Sequence, residues 1–365
     1  MVCLLLTLSL YLNGVFDKMQ DFSNNGIKSI LITGGAGTVG KILLKQLLLS
    51  DVEEVRVFDN NETELFYLTD EYRGDQRAVF FLGDIRDRDK LIKITRGVDV
   101  IFHTAAFKHV ILSEFNPFDV VQTNINGTQN IIEAALLNDV GRVIFTSSDK
   151  AVNPTNVMGT SKLMAEKLIT AANTIRYDKK TIFSSTRFGN VLGSRGSVVP
   201  IFKKQIKNGG PVTLTDSRMT RFVMTIDEAV GLVIESALIA KGGEVFVTKM
   251  PVIRISDLAE VMIDILGPMY GHKPESIKIM EIGKKPGEKL YEELMSLEEV
   301  GRAIELEKLF VIFPAFRDLY KIDYTYEGIV SKTLKNPYIS SAEPFMSKEE
   351  LKSYILKHRL MEEVC

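Results

Sequence analysis

The sequence predicts an α/β protein built on a doubly wound parallel sheet, with a smaller C-terminal substrate-binding lobe. Three observations carry this expectation. From Ile27 onward, short apolar runs alternate with longer stretches whose apolar residues recur at helical spacing, the pattern of successive βαβ units. A glycine cluster, Thr33-Gly34-Gly35-Ala36-Gly37-Thr38-Val39-Gly40, closes the first run and opens a helical stretch. An acid, Asp59, closes the second run. Together they make the sheet Rossmann-like.

The elements follow in order. Ser29 to Thr33 is a buried-strand signal, and Lys41 to Leu49 carries helical spacing. Further strands read at Glu54 to Phe58, Ala78 to Leu82, Val98 to His103, Val143 to Ser147 and Thr181 to Arg187. Helical stretches lie between them at Asp119 to Leu137 and Gly159 to Ile175. After Gly189 glycines and prolines punctuate the chain, so we expect a crossing to a second lobe. Asp227 to Ala240 reads as a helix, Val245 to Val247 as a late strand and Lys348 to Leu360 as a terminal helix. The expected division is an extension at 1–26, a dinucleotide-binding domain at 27–189, a lobe at 190–330 whose strands and helices return to that domain, and a helical tail at 331–365.

The 365 residues include 45 Lys plus Arg against 47 Asp plus Glu. That balance argues against nucleic acid as a partner, because nucleic-acid domains carry a basic excess. The two cysteines, Cys3 and Cys365, offer neither a thiolate metal site nor a cysteine nucleophile and fit a reducing, cytoplasmic setting. His103, His109, His272 and His358 have no spacing that pairs two on one helix face, so no metal is expected. Val2 to Leu12 is almost wholly apolar, yet short of the roughly 20 residues of a spanning helix. It also lacks a signal peptide's basic start and cleavage site. We expect it to pack on the body or a partner, with weak membrane association as the alternative, unless the native start is Met19.

Gly34, Gly37 and Gly40, with Thr38 and Val39 between them, let the backbone approach a pyrophosphate seated on a helix amino terminus. Asp59 stands about 20 residues beyond the last of them, where a carboxylate binds the ribose hydroxyls of NAD and repels a 2′-phosphate. Asn60, Asn61 and Glu62 bring no cation for that phosphate, so NAD is expected over NADP. Asp84 and Ile85 follow the third strand and could lie against the adenine. Ala105 and Ala106 follow the fourth, where small residues leave room for the diphosphate. Ser148, Asp149 and Lys150 stand at the carboxyl end of the fifth, the edge where open α/β sheets bind ligands. Met158 and Lys162 lie one helical turn apart on one face.

At these residues the chain resembles the extended short-chain dehydrogenases/reductases, and within them the UDP-N-acetylglucosamine 4,6-dehydratases. The blocks that carry the resemblance are Ser148 to Gly159, Arg187 to Pro200, Met219 to Phe222 and Lys285 to Lys289, within a similarity running from Ile27 to Asp323. The resemblance implies NAD-dependent oxidation at C4, loss of water across C5 and C6, and hydride return to C6, for polysaccharide or glycan synthesis. Asp149 would serve as acid if burial raised its pKa, and Lys150 as base if desolvation or a cation lowered its own. Ser148 would hold the C4 oxygen, and Lys162 the nicotinamide ribose. Met158 stands where the superfamily carries a tyrosine base, so Ser148 or Asp149 must replace it; a branch of these dehydratases carries the same methionine.

The resemblance also assigns Asn190, Ser197 and Arg221 to the nucleotide sugar and Glu288 to its ribose or uracil, with Arg195 as a helper. Lys108, His109 and Glu114 could line the sugar pocket. It implies a homo-oligomer and leans toward retention at C5. The alternatives are a UDP-sugar 4-epimerase, which needs no acid and base for elimination, and a dinucleotide-binding protein that lost turnover with the tyrosine.

Overall fold

The structure is a computed structural model that describes residues 21–175, 180–194, 197–283, 287–319 and 322–361. The apolar run Val2 to Leu12 lies outside them, as do Arg195, Lys285 and Pro286. Strands β1 (Ser29–Thr33), β2 (Glu54–Asp59), β3 (Ala78–Leu82), β4 (Val100–His103), β5 (Arg142–Ser148) and β6 (Ile182–Phe188) come first. Strands β7 (Asn190–Val191), β8 (Val212–Leu214), β9 (Thr220–Met224), β10 (Val245–Thr248), β11 (Val252–Arg254) and β12 (Ile279–Glu281) follow. The last are β13 (Glu293–Met295), β14 (Ala303–Leu306), β15 (Leu309–Ile312), β16 (Ile329–Ser331) and β17 (Tyr338–Ile339).

The main sheet has ten strands in the order β16-β14-β15-β10-β6-β5-β4-β1-β2-β3. From β3 to β10 every neighbouring pair is parallel, and β15, β14 and β16 add antiparallel strands at the far edge. This is the Rossmann-like order, reversing beside β1. Helices cover both faces, which is why β1 and β4 read as unbroken apolar runs. The helices Thr38–Leu47 and Ile226–Ile239 pack Leu43, Leu44, Leu47, Val230 and Val233 on one face. Arg88–Ile94, Gly127–Leu137 and Val157–Ile175 pack Leu91, Ile131, Ala165 and Ile169 on the other.

The helical stretch expected from Asp119 is interrupted by a π-helical segment, Val121–Asn126. Asn124 in that segment accepts from the Phe107 N–H at 2.8 Å and donates to the Phe107 carbonyl at 3.0 Å and to Ser161 Oγ at 2.9 Å. The wide turn thus pins the loop after β4, a common use of such segments beside functional sites.

The second lobe is held by Phe202, Ile206, Leu258, Met262, Leu266, Leu351 and Ile355, from the helices Val198–Lys207, Ile255–Met269 and Lys348–Lys357. The tail is not wholly helical. β17 pairs antiparallel with β13, and Tyr338 stacks on Phe222 and Phe310 with centroids at 4.5 and 5.1 Å. A two-residue strand has no periodicity to read, and its placement comes from that aromatic packing. Below the lobe junction, Arg187 is fully buried between Glu166 and Glu299, at 2.6 and 3.1 Å. Among the described residues no helix is long and apolar enough to cross a membrane. Nor is any group of three or more His, Cys, Asp or Glu among them arranged to hold a metal ion.

Candidate active site

The glycine loop is a cradle with no room for side chains. Gly34 has φ +69°, and a Cβ there would lie 2.6 Å from the Ala105 nitrogen. A Cβ on Gly40 would lie 2.5 Å from the Gly34 oxygen. Gly37 caps the helix Thr38–Leu47 without a side-chain hydrogen bond, and no acid stands in the first turn. The free N–H groups and the positive end of the helix dipole therefore face the loop, as a pyrophosphate requires. Asp59 accepts from the Ala36 N–H at 3.0 Å and from the Asn61 N–H at 2.9 Å, so its carboxylate is tied to the glycine loop.

Asp84 follows β3. Arg86 holds it through bonds of 2.6 and 2.9 Å and, chiefly by that contact, pulls its pKa down to about 2. Asp84 thus has a cationic partner of its own. Ile85 is buried against Gly127, where a Cβ would lie 2.7 Å from it. Ala105 and Ala106 are half-buried at the end of β4, with Ala105 against Gly34.

Lys162 and Met158 lie on the buried face of the helix Val157–Ile175. Lys162 Nζ donates to the Thr146 carbonyl at 2.9 Å and sits 4.6 Å from the Phe145 ring centroid. Burial draws its pKa down to about 8, against the pull of Glu166. His103, buried between Thr33 and Thr128, is driven to about 3 by burial and by Lys162, and so is neutral.

At the end of β5 the chain turns through a 3₁₀ segment, Asp149–Ala151. Ser148 Oγ donates to Asp149 Oδ1 at 2.6 Å, and Lys150 Nζ donates to Asp149 at 3.0 and 3.2 Å. Lys150 also donates to Glu292 Oε1 at 3.3 Å. The expected pKa shifts are reversed here. Burial pushes Asp149 up, but Lys150 and hydrogen bonds with Glu292 and Ser148 outweigh it and hold it below the usual range. Burial pulls Lys150 down, but the carboxylates of Asp149 and Glu292 outweigh it and hold it above the usual range. The carboxyl that rises is Glu292, pushed to about 7 by burial and by Asp149. The sequence pattern gave no reason to single out Glu292; its only signal is its place four residues beyond Glu288.

Asp149, Lys150, Asn190, Ser197, Arg221, Glu288 and Glu292 line one cavity of about 670 Å³ between the sheet edge and the lobe. Arg221 is buried and committed: Nε lies 3.2 Å from Glu292 Oε1, and its other nitrogens donate to the carbonyls of Thr220, Lys289 and Leu290. Among the described residues, Ser197 Oγ and Glu288 Oε2 are buried without a hydrogen-bond partner, which is costly unless a polar ligand meets them. Lys108 is exposed and does not line the cavity. Glu114 also stays outside it, accepting from the Val157 N–H at 2.7 Å. His109 does line it.

Residues 30–314 match the family described as polysaccharide biosynthesis protein. The chain belongs to that family. It is 50% identical over 337 residues to an uncharacterized membrane protein of Methanocaldococcus jannaschii, covering 92% of this chain and 98% of that one. It is 37% identical to a UDP-N-acetylglucosamine 4,6-dehydratase (inverting) of Campylobacter jejuni, covering 91% and 98%. A UDP-glucose 4-epimerase of Rickettsia canadensis is 36% identical, covering 92% and 97%. Among solved structures, Pen from Bacillus thuringiensis superposes with a TM-score of 0.85 at 45% identity, covering 92% and 98%. The dTDP-glucose 4,6-dehydratase DesIV from Streptomyces venezuelae, solved with NAD bound, superposes at 0.63 with 25% identity, covering 72% and 86%. The family and the Rossmann-like fold are those the sequence motifs point to.

Proposed function

We propose that this protein is an NAD-dependent UDP-N-acetylglucosamine 4,6-dehydratase that makes a UDP-4-keto-6-deoxy sugar for polysaccharide or glycan synthesis. The observation that carries this reading is the hydrogen-bonded set Ser148-Asp149-Lys150, of which Asp149 and Lys150 line a cavity with Asn190, Ser197, Arg221 and Glu288. A 4-epimerase needs no acid and base at C5 and C6, and a binding protein needs neither. The glycine cradle, the uncapped helix and Asp59 fit NAD, which supplies the hydride acceptor for C4 and the hydride donor for C6.

The chain's own residues account for the protons. Ser148 takes the C4 hydroxyl proton as it passes its own to Asp149, 2.6 Å away, so this relay stands in for the tyrosine that Met158 replaces. Asp149 becomes an acid by receiving that proton, although its resting pKa is low. It then gives the proton to the C6 hydroxyl, which leaves as water. Lys150 releases its own proton to solvent once Asp149 has been neutralised, then takes the C5 proton and returns it when C6 is reduced. Lys162 holds the nicotinamide ribose and sets positive charge near the C4 oxygen.

Mass spectrometry of UDP-N-acetylglucosamine incubated with the protein and NAD tests the reading. A product lighter by one water supports it, and deuterium uptake at C5 then reports the stereochemistry. An unchanged mass with UDP-N-acetylgalactosamine by NMR is the epimerase result.

Two predictions concern the cofactor. Asp59→Ala is expected to weaken NAD by about tenfold and NADP by much less, because one ribose hydrogen-bond pair is worth about 1.4 kcal/mol; equal losses in calorimetric titration argue against NAD preference. NAD affinity is also expected to fall as pH rises through about 8, where Lys162 loses its charge. In Lys162→Met that dependence disappears, as titrations between pH 7 and 9.5 would show.

A further inference from the structure

The cluster at the lobe junction contains one ionisable group that the reaction as written does not use. Glu292 comes from the loop before β13 and is nearly sealed from solvent. Its Oε2 accepts from Asn190 Nδ2 at 2.7 Å, and its Oε1 faces Lys150 Nζ at 3.3 Å and Arg221 Nε at 3.2 Å. Its backbone N–H donates to Ser340 Oγ at 2.9 Å. The charged groups facing it are therefore Asp149 and Lys150 from the turn after β5 and Arg221 from β9, with Glu288 on its own loop 4.0 Å from Arg221. Glu292 joins two parts of the cavity: Lys150 belongs to the chemistry, and Arg221 belongs to the nucleotide end.

Arg221 cannot serve a diphosphate and Glu292 equally. Two phosphate charges compete for the guanidinium, and any anion near Arg221 also repels the Glu292 carboxylate across a few ångströms of protein. Either effect favours the neutral form of Glu292, which already titrates near neutrality through burial and Asp149. A neutral Glu292 in turn weakens the hold on the Lys150 ammonium.

We propose that Glu292 is a positioning residue that couples diphosphate binding to Lys150: when a nucleoside diphosphate engages Arg221, Glu292 takes up a proton and Lys150 keeps one carboxylate neighbour in place of two. Asp149 is then neutralised when it receives the C4 hydroxyl proton. The Lys150 amine thus gives up its proton readily only when substrate is bound and oxidation at C4 is under way, which protects the site from idle proton exchange. This inference rests on the proposed role of Arg221 as a diphosphate ligand.

The test is calorimetric titration of the NAD-loaded protein with UDP at pH 8, in phosphate and in Tris buffer. Phosphate monoesters ionise with a pKa of about 6, so UDP itself enters fully charged and contributes no uptake. The expected result is a buffer-dependent heat equivalent to about half a proton taken up per UDP, and its loss in Glu292→Gln with UDP still bound. Proton uptake also requires affinity to fall as pH rises. For an upward shift of one unit at Glu292, the unaltered protein should bind UDP about fivefold more weakly at pH 9 than at pH 7, a readout that needs no variant. UDP binding with no uptake and no pH dependence overturns the coupling and leaves the diphosphate site intact. Uptake that persists in Glu292→Gln assigns the proton elsewhere and overturns it too. Failure of the unaltered protein to bind UDP overturns the diphosphate reading, and the coupling with it.

Discussion

Lys150→Ala is expected to lower the rate of water loss from UDP-N-acetylglucosamine by about 10²- to 10⁴-fold, the range for removal of a positioned acid or base, with NAD affinity unchanged within a few-fold. The separation follows from the architecture. Lys150 contacts Asp149 and Glu292, whereas the proposed cofactor cradle is built from the turn after β1, the end of β2 and Lys162. Exchange of the C5 proton with solvent deuterium, monitored by NMR, should fall with the dehydration rate, because Lys150 is the group proposed to remove it. Full activity in the variant would remove Lys150 from the mechanism. Loss of NAD binding together with activity would instead show that the alanine disturbs the fold of the turn after β5.

Arg187→Met is expected to cost about 3–5 kcal/mol of folding stability, the usual penalty for removing one partner from a buried ion network. Arg187 Nε and Nη2 donate to both oxygens of Glu166 at 3.0 and 2.6 Å, and Nη1 donates to the Leu294 carbonyl and Glu299. Its removal strands two buried carboxylates. The pH dependence gives the signature. Burial alone would raise Glu299, but Arg187 holds it down at about 2. In the native chain its stabilising contribution is present above the ordinary carboxylate range and is lost as pH falls toward about 2. In the variant the carboxylates can escape the penalty by protonation, so the loss should be largest at neutral pH and shrink toward pH 5. Denaturant unfolding at several pH values measures this. Adding Glu166→Gln and Glu299→Gln should recover most of the loss, and no recovery would show that Arg187 acts through packing.

The two variants differ in how readable their positions are from sequence. Lys150 lies directly after an apolar strand, and parallel topology puts every such strand end on one edge. Local order was therefore enough to place Ser148, Asp149, Lys150, the glycine loop and Asp59 on the same side of the sheet. Arg187 also ends a strand, yet its side chain turns inward to partners at positions 166 and 299, and no local pattern reports that. Lys108 and Glu114 show the reverse case. Both follow β4 as a pocket residue would, but Lys108 is exposed, and Glu114 holds the first turn of the helix that carries Met158 and Lys162.

What the sequence by itself determined was the α/β class, the strands of the parallel sheet up to β6, the glycine turn between β1 and its helix, and the residue types at the sheet edge. Each depends on spacing within one βα unit, where backbone geometry leaves few choices. The tertiary structure decided the charge state of the site. Asp149 and Lys150 have shifts opposite to those expected from burial alone, because packing folds them against each other as an ion pair and Glu292, 142 positions away from Lys150, adds to the hold on the ammonium. Arg221 is likewise bound to Glu292, and β17 crosses from the tail to support that loop through Ser340. Coulomb interactions fall off with distance in space and are blind to distance along the chain, so the protonation of this site follows from packing rather than from any motif.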